Sequence, residues 1–190
     1  YAFFYIIKCI RIKMQNKTIL FTPSIYLASP SRPMVKGHPF PMEYVKWHKA
    51  LLNYFSTRKD YQFIWKGLFV TNRRFDLISK LITQRDYKNI QFRTDKITNS
   101  IRKVDKVLFD TPSTAFFECI FSGLPVLALY RPKDQELRGN AYDEFGSSLQ
   151  PYNNIDEGIE LVDNFLNGNS LDYIVQLETE DISVSEILNI

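Results

Sequence analysis

Short apolar runs alternate along this chain with stretches in which apolar residues return every three or four positions. That alternation predicts the elements. Residues 18–22 (TILFT) read as a buried strand. A loop with four prolines and one glycine follows over 23–40, and it carries Lys36, Gly37 and His38. Pro41 can open a helix in which Tyr44, Trp47, Leu51 and Tyr54 or Phe55 share a face, up to about residue 60. Residues 61–65 (YQFIW) form a second strand ending at Lys66. Phe75, Ile78, Leu81 and Ile82 mark a second helix, residues 89–93 (NIQFR) a third strand, and Ile97, Ile101 and Val104 a short helix. Beyond a polar stretch over 131–154, a last clear helix covers 155–166, and the tail from 167 is acidic and weakly patterned.

The densest pattern lies between 105 and 130, DKVLFDTPSTAFFECIFSGLPVLALY. An apolar run (Val107, Leu108, Phe109) ends in Asp110. Thr111, Pro112, Ser113 and Thr114 follow, then an amphipathic piece with Glu118, then Gly123 and a second apolar run over 124–129. Pro112 suits a first helical position, because its missing N–H would be unpaired there anyway, with Thr111 as the cap before it. Gly123 suits the residue just past the helix, where a left-handed backbone is cheap for glycine. Two buried strands joined by a helix make a βαβ unit. Strands that alternate with helices along the chain indicate an α/β fold, Rossmann-like and doubly wound, with a mainly parallel sheet and helices on both faces. Residues 1–16 read as a lead-in or interdomain segment, and 17–190 as one nucleotide-binding domain. The stretch over 131–154 is long for an ordinary connection, and long loops in such folds are often functional.

Composition narrows the classes. The 190 residues are enough for one sizeable domain and too few for two nucleotide-binding domains. Fifteen Phe and eleven Tyr predict an aromatic core. A net charge of +3 is too weak for a nucleic-acid partner, which needs a clustered basic face. The two cysteines, Cys9 and Cys119, have no metal spacing, which favours a reducing, cytoplasmic setting. No run reaches the ~20 apolar residues that span a bilayer. A pI near 8.8 is compatible with peripheral contact to an anionic inner leaflet. The opening YAFFYIIKCI starts without Met and is expected to lead in from a preceding domain or to pack against one.

The polar residues after Asp110 carry the candidate chemistry. Thr111, Ser113 and Thr114 set hydroxyls beside the free N–H groups of a helix start, a general site for phosphate. Glu118 lies four residues after Thr114, on the same helix face, where a carboxylate can accept from ribose hydroxyls. The same residues would also make a plain capped helix with one surface Glu. Lys66 is expected at the carboxyl edge of the sheet, where it can neutralise a diphosphate or serve as an ordinary strand-end lysine. His38, before Pro39, sits in an extended loop and can bind phosphate or move a proton. His48 reads as a surface or packing residue of its helix. Two histidines without partner spacing give no metal site, and no Gly-rich phosphate loop or nucleophile elbow is present.

The order of elements from 18 to 166 resembles the C-terminal, donor-binding domain of two-Rossmann (GT-B) glycosyltransferases. The segment DTPSTAFFECIFSGLPVLAL is similar to that family's signature, a Ser/Thr loop and a downstream Glu before a "G-x-P-V" strand. The resemblance implies that Ser113 and Thr114 contact donor phosphates, that Glu118 holds the ribose, and that Lys66 neutralises the diphosphate. The KGHP loop around His38 resembles a His-Pro element of capsule- and teichoic-acid-type transferases, including those that use CDP-glycerol. Asp110 and Glu118 are spaced like the two acidic residues of many retaining transferases, with Asp in place of the usual first Glu. His38 and Asp110 are the catalytic candidates on this resemblance. The implied substrate is a nucleotide-activated sugar or polyol phosphate, without metal or other cofactor, and the implied acceptor is a saccharide or lipid-linked. The implied setting is bacterial surface-polysaccharide assembly in the cytoplasm or at the inner face of the membrane. Two points stand out: these 190 residues do not span the acceptor-binding N-terminal domain, which the resemblance implies as a partner, and no Gly-rich donor loop is evident in them. A nucleotide-sugar 2-epimerase shares the architecture, and a non-catalytic Rossmann-like scaffold is the alternative from another class.

Overall fold

A computed structural model describes residues 17–23, 41–67, 77–134, 137 and 141–175. The expectations for the opening segment, the KGHP loop and the end of the tail lie outside these residues.

Six strands form one fully parallel sheet: β1 (Lys17–Thr22), β2 (Tyr61–Lys66), β3 (Ile90–Arg93), β4 (Lys106–Phe109), β5 (Val126–Tyr130) and β6 (Leu149–Pro151). Their order across the sheet is β3-β2-β1-β4-β5-β6. Parallel strands covered on both faces read as continuous apolar runs, and β4 and β5 are buried at every position.

Alternate side chains divide the core into two layers. Ile19, Phe21, Phe63, Trp65, Leu108, Leu127 and Leu129 meet α1 (Pro41–Thr57), α2 (Leu77–Arg85) and α6 (Ile155–Asn167). Leu20, Ile64, Val107, Phe109, Val126 and Ala128 meet α3 (Ile97–Ile101), α4 (Thr114–Phe121) and α5 (Ala141–Phe145) on the other face. The first layer is the aromatic one. Phe55 of α1 stacks on Phe63 at 4.2 Å, and Phe21 meets Trp65 edge-on at 4.6 Å. Such pairs add roughly 0.5–1.5 kcal/mol beyond the area they bury.

The chain winds outward from β1 to β3, then returns past β1 to place β4 on its other side. The strand order therefore reverses between β1 and β4. In open α/β sheets that reversal opens a crevice at the carboxyl ends of the strands. Five strands and the main helices match the sequence expectation. The sixth, β6, lies inside the stretch expected to be a polar connection, together with α5 and a 3-10 turn at Gly146–Ser148.

One boundary is corrected. The helix after β4 begins at Thr114, with Ser113 as its cap, so Pro112 precedes the helix and Thr111 does not cap it. The Thr111 hydroxyl instead donates to the carbonyl of Asp110 at 2.7 Å. Gly123 has φ 68° just past the helix, the left-handed conformation that glycine adopts without a Cβ penalty.

Candidate functional site at the carboxyl edge of the sheet

Three adjacent strands, β2, β1 and β4, bring those predicted residues that are described, Lys66 and the 110–118 segment, to one edge, and His38 lies outside the described residues. Trp65 is level with Phe21, and Thr22 with Phe109. Lys66 at the end of β2 and Asp110 after β4 thus flank the end of β1. They stand two strand spacings apart, roughly 10 Å. The Oγ1 of Thr22 is buried at this reversal with no hydrogen-bond partner among the described residues. Thr22 drew no notice in the sequence, because one hydroxyl at the end of an apolar run looks like any strand terminus.

The loop after β4 presents its polar groups outward. Ser113 is extended (φ −145°, ψ 172°), and its side chain makes no capping bond to α4. Ser113 and Thr114 are both exposed. The first N–H groups of any helix lack intrahelical partners, and the helix dipole adds positive character there. The arrangement is thus a set of donors at the positive end of α4, open to solvent. Glu118 is exposed one turn along the same helix.

Lys66 is half-buried, and its Nζ donates to the carbonyl of Gly67 at 3.3 Å. Burial pulls its pKa below the usual lysine value, opposed by the nearby Asp95 and aided by Arg93. Gly67 is locked behind it, since a Cβ there would lie 2.3 Å from the Phe92 ring.

Asp110 is placed differently from the hydroxyls that follow it. Its side chain is 1% exposed and faces the core side of the crevice. Its Oδ2 lies 2.5 Å from Nε2 of His48, which is itself buried in α1. A carboxylate only accepts, so the imidazole donates. His48 is a packing residue, as expected, but its bond to Asp110 was not foreseen. The two are 62 positions apart, and no spacing rule links them.

A charged group also clamps the start of α1. Arg131, following β5, bonds Glu43 at 2.8 Å and pairs with Asp134 at 3.1 Å. The Arg131 bond holds the Glu43 carboxyl below its usual range. Tyr152 stacks on Trp47 at 4.9 Å behind this cluster. Its hydroxyl pKa is raised, first by burial and then by the charge of Asp110. No group of three or more His, Cys, Asp or Glu able to hold a metal occurs among the described residues. No helix among them is long and apolar enough to cross a membrane.

No family model and no curated protein matches this sequence. Solved structures do match the fold. The UDP-GlcNAc 2-epimerase from Methanocaldococcus jannaschii superposes with a TM-score of 0.54 at 16% identity, over 89% of this chain and 43% of that one. The same archaeal epimerase in complex with UDP-GlcNAc and UDP gives 0.55 at 14% identity, over 99% and 47%. The α,α-trehalose 6-phosphate synthase from Burkholderia multivorans gives 0.50 at 10% identity, over 84% and 37%. The chain thus spans less than half the length of each of these three structures. What the likeness shows is the fold: a Rossmann-like α/β domain of the kind found in GT-B proteins.

Proposed function

We propose that this domain binds a nucleotide-activated sugar or polyol phosphate, as the donor half of a GT-B-type glycosyltransferase. The observation that carries the reading is the 110–118 segment. Its open helix start, two exposed hydroxyls and exposed Glu118 stand at the reversal of strand order, on the same edge as Lys66. The solved structures of the same fold support it, since one holds UDP-GlcNAc and UDP. In this reading Ser113, Thr114, the α4 amides and Lys66 take the diphosphate, and Glu118 takes the ribose hydroxyls. These groups gain most when negative charge grows on the departing diphosphate, which is how fixed donors lower a barrier. No metal is called on for that task. His38 remains the candidate for proton transfer, on its resemblance alone. The KGHP element is also what favours a bacterial surface-polysaccharide setting, with a saccharide or lipid-linked acceptor and a second domain to hold it.

Isothermal titration with UDP, GDP, CMP, CDP and CDP-glycerol tests the reading. One of these binds, and Glu118→Ala weakens it by ~1.5–3 kcal/mol, the worth of hydrogen bonds to a charged group. Unchanged affinity in a folded variant would remove Glu118 from the site. Absence of binding by a folded wild type would count against the donor reading.

The epimerase structures favour one second reading, a nucleotide-sugar 2-epimerase. Incubation with UDP-N-acetylhexosamine separates the two. An epimer formed without any acceptor would favour the second.

A further inference from the structure

Asp110 directly follows β4 and begins the loop that displays Ser113 and Thr114, so its backbone sets the direction of that loop. Its side chain points away from solvent, to a histidine that has almost no freedom. The His48 ring lies 3.9 Å from Tyr44, 5.4 Å from Trp65 and 5.8 Å from Phe21, between centroids. These rings come from α1, β2 and β1, and His48 is 3% exposed. A ring so enclosed keeps one orientation and directs Nε2 at one point. A desolvated carboxylate is tolerated where such a donor meets it, and it moves away or draws in water where the donor is lost.

We propose that His48 is a positioning residue. Through Asp110 it holds the 110–114 loop in the conformation that receives the donor phosphates. This rests on the donor reading above and adds a residue to it. It also gives Asp110 a task as the anchor of the loop, distinct from proton transfer to substrate.

The test compares His48→Leu, which removes this one donor to Asp110, with His48→Gln, which keeps an N–H near the position of Nε2. Phe55→Leu serves as a control. It loosens the same helix against Phe21 and Trp65 without touching Asp110. Amide hydrogen exchange is read at 110–116 at matched global stability. The proposal expects His48→Leu to speed exchange there by roughly tenfold relative to Phe55→Leu, equivalent to ~1.4 kcal/mol of local opening, and His48→Gln to restore most of it. Nucleotide titration then reads function: His48→Leu lowers affinity by about tenfold, and His48→Gln stays within about threefold of wild type. Equal exchange in His48→Leu and Phe55→Leu overturns the proposal. So does full nucleotide affinity in His48→Leu. A wild type that binds none of the nucleotides defeats the donor reading instead, and the exchange comparison still decides whether His48 orders the loop.

Discussion

The two ends of β4 each bury an ionisable side chain, and they use it differently. At the amino end Lys106 is 2% exposed, and its Nζ donates to the carbonyls of Phe165 (2.5 Å), Leu166 (3.2 Å) and Gly168 (3.3 Å). These are the last carbonyls of α6 and the residue after it, groups that a helix end leaves without partners and that carry the negative end of its dipole. Lys106 therefore ties α6 to the centre of the sheet. At the carboxyl end Asp110 reaches back to α1, and the loop it starts is open to solvent. One end of the strand closes the fold. The other holds an exposed loop against a fixed wall, as a binding edge requires.

Several substitutions can break or sharpen this contrast, and the largest effect is expected at the amino end. Lys106→Ala removes this donor from three carbonyls, of which Leu166 keeps the Tyr61 hydroxyl at 2.8 Å, and leaves a void beside the Phe165 ring. A loss of about 3 kcal/mol in urea unfolding is expected, with nucleotide affinity of the folded protein unchanged. A variant as stable as wild type would mean that α6 does not need this tether.

Gly158→Ala probes the opposite end of the same helix. A Cβ there would lie 2.8 Å from the Trp47 ring and 3.1 Å from Tyr152. Overpacking is expected to cost about 2 kcal/mol. Because Trp47 neighbours His48 on α1, this variant should also disturb nucleotide binding, which Lys106→Ala should not. Equal effects of both variants on affinity would erase the distinction between the two edges.

A smaller effect comes from pH. Burial, with the charge of Lys17, brings Lys106 down to about 8 from the ordinary 10.5. Between those values the unfolded chain still holds the proton and the folded chain has released it. Stability contributed at this site therefore rises with pH across that window, and it is flat below it, where both states are protonated. Unfolding curves from about pH 7 to about pH 10 should show wild type gaining on Lys106→Met. Parallel curves would mean that the lysine keeps its ordinary affinity for the proton. The smallest stability effect is expected for Glu118→Ala, within about 0.5 kcal/mol, since the side chain is exposed and forms no part of the core.

Much of this architecture was legible from residue pattern. Apolar runs marked five strands, because strands buried on both faces need them, and Gly123 marked a helix end that does require a left-handed residue. The strand β6 was not legible. It has three residues, only Leu149 among them is fully buried, and it closes on a proline at the edge of the sheet. The first turn of α4 was misread by two residues because Thr-Pro and Ser-Thr both look like helix starts, and only the backbone distinguishes them. Lys106 and His48 were hidden for a common reason. Each is polar, each is buried, and each is satisfied by a partner far along the chain that only the tertiary fold supplies.

The central claim, that the carboxyl edge of β4 is the binding edge, is tested most directly by backbone amide shifts on titration with UDP and CDP. The account predicts shifts concentrated at residues 110–118 and at Lys66 and Gly67, with Lys106 and Gly168 unmoved. Shifts confined to the amino edge, or none at saturating nucleotide in a folded protein, would contradict it.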